Sequence, residues 1–175
     1  PIEDISLVEN LIGLKKLKNM INFNNYPSLE AQIASISDDI AYNNHDIQDG
    51  IKANLFKLEE LIEINYFKEI YKRYSKKINK QNYNVATYQI IRDSIDFMIK
   101  DLINNTKKNL KQKKIKSYKD INKTNFLIAN FSENLKKSEN EIRFFLKTKM
   151  YNNKKVLIKN NEGKSIVSTL FNKIK

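Results

Sequence analysis

The chain of 175 residues carries 32 basic and 20 acidic side chains, a net charge of +12, and its hydrophobic content of 41% suffices for one core. The lack of cysteine excludes a disulfide scaffold, and the lack of any apolar run near about 18 residues argues against a membrane-spanning helix. Because the opening PIEDISLVEN lacks the basic and apolar regions of a signal peptide, we expect a soluble cytoplasmic protein with no membrane contact.

Helices are the regular elements that the sequence predicts. Only three Gly and two Pro interrupt the chain, and no strand-like alternation occurs, so we expect an all-α fold over residues 1–175 as a single helical unit. A first helix is expected from Ile5 to Met20. A second, at about residues 27–54, is expected to begin at Tyr26 to Ser28, because Pro27 suits a first turn and Ser28 is a good N-cap.

The middle of the chain continues the helical pattern. Aromatic residues from Tyr66 to Tyr74 recur with helical spacing, which favours packing, and Asn79 to Asn84 reads as a polar loop. A long amphipathic helix is predicted from Val85 to Leu110. Its expected core positions are Val85, Tyr88, Ile91, Ile95, Met98, Ile99, Leu102 and Ile103.

Three more helices are expected before the carboxyl end. A short one begins near Ser117, and Ser132 caps a longer one. The buried stripe of that longer helix is expected to contain Leu135, Ile142, Phe145, Leu146 and Met150. Asn160 to Gly163 is predicted to form a turn, followed by a helix from Lys164 to Ile174 whose inward residues are Ile166, Val167, Leu170 and Phe171.

The helix at about residues 27–54 has two distinct faces. Apolar residues spaced by three, four or seven positions predict a core-facing stripe of Ile33, Ile36, Ile40, Ile47, Ile51 and Leu55. On the other side Asp38, Tyr42 and Asp46 follow one another at i, i+4 and i+8, with His45 and Asp49 nearby. Acids on the wet side of a helix are ordinary, so the pattern alone leaves a solvated face and a ligand site both open.

The run SLEAQIASISDDIAYNNHDIQDG from Ser28 to Gly50 closely resembles a signature of bacterial deoxyguanosinetriphosphate triphosphohydrolase-like proteins, members of the HD-domain phosphohydrolase superfamily. The similarity continues through Arg92, Asp101 and Thr106, the Phe131-Ser132 pair, and FFLKTKMYNNKKV from Phe144 to Val156. It implies an HD-domain-like helical bundle that is a portion of a larger enzyme. After Met150-Tyr151 the family commonly has a histidine, where this chain has Asn152 and Asn153.

The resemblance implies a site for a dNTP and a divalent metal, Mg or Mn. The first Asp of the DDIAY run, Asp38, corresponds to the last of four metal ligands in the family, the others being two histidines and another aspartate. Tyr42 is implied to pack against the deoxyribose, and Asp46 to accept a hydrogen bond from the 3′-hydroxyl. The family reaction attacks the α-phosphate and releases a deoxynucleoside and triphosphate, which the metal assists by activating water.

The single histidine sets a limit on the metal centre. His45 precedes Asp46, but by the resemblance this pair lies on the helix of the last ligand and is not the metal-binding His-Asp doublet. With no cysteine as a substitute, the chain alone is not expected to assemble the centre or to catalyse. The remaining ligands are expected upstream of Pro1, and the complete enzyme is expected to be a homo-oligomer.

A basic segment supports an alternative of a different class. Lys107, Lys108, Lys111, Lys113, Lys114 and Lys116 form the densest charge cluster, with Tyr83 and Tyr118 as candidate stacking residues. The alternative is a catalytically inactive helical module that binds single-stranded nucleic acid or a partner subunit. A solvated helix end in a lysine-rich chain explains the same cluster.

Overall fold

The computed structural model describes residues 26–121 and 123–174, and all regular elements in these ranges are helices, which confirms the all-α prediction. They are α1 (Leu29–Lys52), α2 (Leu58–Leu61), α3 (Asn65–Tyr71), α4 (Tyr83–Gln112), α5 (Tyr118–Ile121), α6 (Glu133–Leu146), a π-helical turn (Lys147–Tyr151) and α7 (Lys154–Ile174). The helix expected from Ile5 to Met20 lies outside the described residues. None of the described helices is both long and apolar enough to cross a bilayer.

Helix α1 begins and ends with defined caps. Ser28 Oγ accepts a hydrogen bond from Ala31 N at 3.3 Å, as expected of an N-cap. At the other end, Leu55 N donates to Gly50 O at 2.9 Å and Asn54 N to Ile51 O at 3.0 Å, while Asn54 has a left-handed φ of 52°. This is the Schellman arrangement, which satisfies carbonyls that would otherwise lack partners and turns the chain away from the helix axis.

The chain divides into two compact units, and the described part of the first comprises residues 26–38, 101–121 and 123–131. Its irregular stretch before Ser132 is held by side-chain amides. Buried Gln32 accepts from Ile128 N at 2.8 Å and Ala129 N at 3.1 Å. Asn105 and Asn109 donate to carbonyl oxygens of the same stretch. These bonds give partners to backbone N–H and C=O groups that form no hydrogen bonds within a helix.

The second unit comprises Asp39–Lys100 and residues 132–174. Its largest fully buried side chains are mostly aliphatic and aromatic, and Phe56 meets Phe145 edge-on at a centroid distance of 4.9 Å. Ser132, the predicted cap of α6, accepts a hydrogen bond from Leu135 N. The buried residues of this core include Ile47, Leu58, Leu61, Phe67, Ile90, Met98, Ile142 and Leu146.

Several predicted core positions are wrong. The exposed ones are Ile33 on α1, Val85, Tyr88, Ile99 and Ile103 on α4, and Ile166, Val167, Leu170 and Phe171 on α7. The predicted turn at Asn160 to Gly163 is also wrong, because α7 runs through it without interruption. Periodicity identifies residues that share a helix face, but it does not tell whether another element covers that face.

Candidate functional site

Helix α1 presents the three predicted site residues at successive turns. Tyr42 is 59% exposed, Asp38 is exposed and Asp46 is half-buried, whereas Ile40 and Ile47 are buried on the other side of the helix. Asp38 falls in the first unit, and Tyr42 and Asp46 fall in the second. The predicted polar stripe is therefore accessible to a ligand. His45 is also exposed.

A cleft of about 520 Å³ lies beside Tyr42 in the second unit. One wall is α1, and the other is the end of α6 with the π-helical turn, in which Asn152 N donates to Lys147 O at 3.0 Å. π-Helical turns are rare and frequently occur at functional sites. The lining residues are Asp39, Tyr42, Asn43, Arg143, Leu146, Lys147, Tyr151 and Asn152.

Asp46 and Tyr151 are joined at the edge of this cleft. The Tyr151 hydroxyl donates a hydrogen bond to Asp46 Oδ2. Burial, the bond to Asp46 and the nearby Tyr42 together raise the pKa of Tyr151 far above its ordinary value. The phenol is therefore protonated at any physiological pH. It can always donate its hydrogen bond to Oδ2 of Asp46.

Arg143 lies between two carboxylates. Its Nη2 is 3.0 Å from Asp39 Oδ2, and its Nε donates to Glu139 one helical turn earlier. Burial lowers the pKa of Arg143, but the pairs with Glu139 and Asp39 outweigh this effect, so its pKa is raised and the guanidinium is always charged. Asp39 holds the guanidinium from α1, and Glu139 holds it from α6.

The charges around the cleft do not favour an anion by themselves. Asp39, Asp46 and Glu139 give three negative charges against the two positive charges of Arg143 and Lys147. The net charge around the cleft is therefore negative, and it would repel an anionic polyphosphate. Additional positive charge, from a metal ion or from other residues, is required for such a ligand.

The described residues fit only part of a metal centre. No three His, Cys, Asp or Glu side chains within residues 26–121 and 123–174 lie close enough together to hold a metal ion. The exposed carboxylate of Asp38 supplies one hard oxygen donor, which suits Mg²⁺ or Mn²⁺. The other ligands would have to come from outside these ranges.

Sequence reasoning missed Arg143, Lys147 and Tyr151 as site residues. A signal was present, because the three follow one another at i, i+4 and i+8, which is the same spacing as Asp38, Tyr42 and Asp46. The stretch from Phe144 to Val156 resembles the family, but within it only the apolar residues Phe145, Leu146 and Met150 were predicted to have a place, in the buried stripe, and its polar side chains were given none. The structure places this second polar stripe, formed by Arg143, Lys147 and Tyr151, beside Tyr42 and Asp46.

The fold and cleft define an all-α protein with a polar cleft of acids, tyrosines and basic residues. No family model matches the chain. It is 62% identical over 174 residues to a deoxyguanosinetriphosphate triphosphohydrolase-like protein of Pelagibacter ubique (strain HTCC1062), covering 99% of this chain and 47% of that protein. Proteins of the same description from Leptospira interrogans, serovar copenhageni, and Rickettsia typhi are 35% and 33% identical over 150 and 154 residues.

The chain is therefore homologous to deoxyguanosinetriphosphate triphosphohydrolase-like proteins along nearly its whole length. It covers 39% of the Leptospira relative and 40% of the Rickettsia relative, so it spans less than half the length of the curated relatives it matches. The predicted resemblance is confirmed, and the chain corresponds to a part of these proteins.

Proposed function

We propose that the chain forms part of a metal-dependent dNTP triphosphohydrolase that converts dGTP or another dNTP to a deoxynucleoside and triphosphate. The observation that carries the proposal is the cleft in which Tyr42 and the Asp46–Tyr151 pair lie beside Arg143 and Lys147. A nucleotide needs both kinds of partner, because its sugar offers hydroxyl groups and an apolar ring, and its phosphates require cations. The homology to triphosphohydrolase-like proteins agrees with this assignment.

The proposed roles follow the chemistry of each side chain. Tyr42 packs against the deoxyribose and disfavours a 2′-hydroxyl, and Asp46, oriented by Tyr151, accepts a hydrogen bond from the 3′-hydroxyl. Arg143 and Lys147 bind phosphate oxygens, which reduces the negative charge that repels an attacking water. Water then forms a bond to the α-phosphorus, the bond from that phosphorus to O5′ breaks, and O5′ leaves with a proton.

Asp38 is proposed as one ligand of a divalent metal, Mg or Mn. When bound, such an ion polarises a phosphate and lowers the pKa of a coordinated water. Because we assign one ligand among the described residues, the remaining ligands are proposed to lie in the part of the relatives' sequence that this chain does not match. The 175-residue chain alone is accordingly expected to release no triphosphate.

The test places this chain in the position of the matching 174 residues of the Pelagibacter relative. Triphosphate release from dGTP is measured with Mg²⁺ or Mn²⁺, and Asp38→Ala is expected to lower kcat by about 100-fold or more, since a metal ligand is lost. Asp49→Ala is the matched control, because Asp49 is also an exposed aspartate on α1. Undiminished activity of the Asp38→Ala protein would overturn the proposal.

A further inference from the structure

Asn43 is a largely buried polar residue that lines the cleft beside Tyr42. It is 6% exposed, and Leu146, which also lines the cleft, is fully buried. The other lining residues are exposed or half-buried. Asn43 and Leu146 therefore form the floor of the cleft, so a ligand that fills the cleft meets one polar and one apolar side chain there.

The side-chain amide of Asn43 has no partner in the part of the chain that the structure describes. No hydrogen bond among these residues reaches it, whereas the neighbouring Asn44 donates from Nδ2 to Ile40 O at 2.8 Å. The fully enclosed side-chain atoms that lack a partner in the described ranges belong to Asn44, Ser94 and Thr106. The atoms of Asn43 are not among them, so its amide keeps an edge open to the cleft.

An open amide at the floor of a cleft is suited to bind a polar group. A carboxamide offers two N–H donors and a carbonyl acceptor, and polar groups that are this deeply buried normally have partners. A ligand group that supplies these hydrogen bonds can replace water there at little cost. Because the net charge around the cleft is negative, an uncharged group is the better match for this amide.

The position of Asn43 on α1 shows which part of a ligand it would meet. Tyr42 directly precedes it, and Asp46 follows it at i+3. At about 100° per residue, these three side chains leave the helix within an arc of about 100°. Residues three apart on a helix are neighbours, so the Asn43 amide lies next to the Asp46 carboxylate.

A hydroxyl group needs a donor as well as an acceptor. When it donates its hydrogen to Asp46, its oxygen can still accept a hydrogen bond. Other donors around the cleft have different partners, because the Tyr151 hydroxyl donates to Asp46, and Arg143 and Lys147 are the proposed phosphate ligands. The N–H groups of Asn43 can supply the bond that the hydroxyl oxygen lacks.

We propose that the Asn43 amide donates a hydrogen bond to the 3′-oxygen of the dNTP, while Asp46 accepts the hydrogen of the same hydroxyl. Asn43 is thereby a binding residue that determines specificity for a 3′-hydroxyl, and this inference rests on the proposed function. An analogue without the hydroxyl leaves the amide and the carboxylate unpaired when it fills the cleft. Such unpaired groups are the reason why a polar site rejects a substrate that lacks the matching group.

The test uses the chimera in which this chain replaces the matching 174 residues of the Pelagibacter relative. We compare kcat/KM of triphosphate release for dGTP and for 2′,3′-dideoxyguanosine triphosphate. Asn43→Ala is expected to lower kcat/KM for dGTP about tenfold and to change that for the dideoxy analogue less than about twofold. The preference for the 3′-hydroxyl therefore falls about tenfold.

A second variant keeps the shape of the side chain. Asn43→Asp has no N–H donor, so the same fall in preference is expected. Its added negative charge affects both substrates alike, because both carry a triphosphate, and the effect cancels in the ratio. Asn134→Ala, at an exposed asparagine of α6 outside the cleft, is the matched control and should leave both kcat/KM values unchanged. Circular dichroism melting checks the fold of each variant.

Two results would each overturn the inference alone. An equal loss for dGTP and for the dideoxy analogue would show that Asn43 has only a structural role. A changed preference between dGTP and dCTP, with the preference for the 3′-hydroxyl intact, would place the amide against the base. A parent chimera that releases no triphosphate from dGTP would overturn the proposed function and this inference with it, a result distinct from the other two.

Discussion

At the scale of single residues, two glycines in helices have opposite surroundings. A Cβ atom added at Gly50 would lie 2.3 Å from Cε1 of Phe56, a ring that is buried in the second unit. A Cβ atom added at Gly163 would meet nothing within 4 Å. The lack of a side chain at Gly50 therefore lets the Phe56 ring pack against the helix. At Gly163 it has no such benefit and only lowers the stability of α7.

Alanine at these two positions should change stability in opposite directions. Gly50→Ala is expected to lower the free energy of unfolding by about 1–3 kcal/mol, because the Phe56 ring must move in a packed core. Gly163→Ala is expected to raise the stability of α7 by about 0.5–1 kcal/mol through helix propensity. Urea denaturation followed by circular dichroism measures both, and an increase for Gly50→Ala would show that the ring moves at little cost.

Local chemistry made some residues predictable and left others hidden. Ser28 and Ser132 were predicted as caps because a hydroxyl before an apolar-periodic run has one favourable place to bond. Tyr42 and Asp46 were placed by resemblance, and both are near the cleft or its edge. Arg143 and Tyr151 were not assigned, since their partners Asp39 and Asp46 lie about a hundred residues away and side-chain pairing at that distance has no local pattern.

At the scale of elements, α7 shows why the last predicted turn was wrong. Asn160, Asn161 and Gly163 are turn-prone residues, and considered alone their cluster predicts a turn. The helix nevertheless continues from Lys154 to Ile174. A single glycine costs a helix only about 1 kcal/mol, which the other residues of a 21-residue helix offset.

An ion pair connects α2 to the π-helical turn and predicts a pH dependence. Lys149 Nζ lies 2.6 Å from Glu60 Oε2, and Lys57 N donates to the other oxygen of that carboxylate. The bond from Lys149 and then the bond from Lys57 lower the pKa of Glu60. Glu60 therefore stabilises the fold above its unfolded pKa of about 4.3, and this contribution is lost as pH falls through the lowered folded pKa.

Glu60→Gln should accordingly lower the free energy of unfolding at pH 7 by up to about 1 kcal/mol, since both partners are partly exposed. The difference from the parent chain should shrink as the pH falls below about 4. Urea denaturation at pH 7, 5 and 3 measures it. Glu141→Gln, at an exposed position on α6, is the control, and a difference that is the same at all three pH values for Glu60→Gln would contradict the assignment.

At the scale of the whole molecule, the class of fold was predictable and the coverage of its surfaces was not. Long segments of helical periodicity without strand-like alternation predicted an all-α protein, and the described residues agree. The apolar side of α7 remains exposed, with Val167 at 67% and Leu170 at 54%. A sequence states which side of a helix is apolar, but the element that covers it can belong to any part of the chain or to another molecule.

Exposure of the α7 face gives a direct prediction for the 175-residue chain. Val167→Lys with Leu170→Lys should change the free energy of unfolding by less than about 0.5 kcal/mol, because no packed contact is lost. Ile142→Ala, in the core, should cost about 2–5 kcal/mol. The double variant should also bind less of an apolar fluorescent dye, and a large loss of stability instead would mean that the face is covered in solution.

The bond between Tyr151 and Asp46 has a consequence for the two oxygens of that carboxylate. The phenol takes Oδ2, and among the described residues no hydrogen bond reaches Oδ1. An ionised carboxylate can accept hydrogen bonds on both oxygens. Oδ2 accepts one from Tyr151, and Oδ1 can accept one from a ligand. Tyr151 thereby fixes the orientation of the Asp46 carboxylate, so a hydroxyl group that binds at Oδ1 would meet an acceptor that is already oriented.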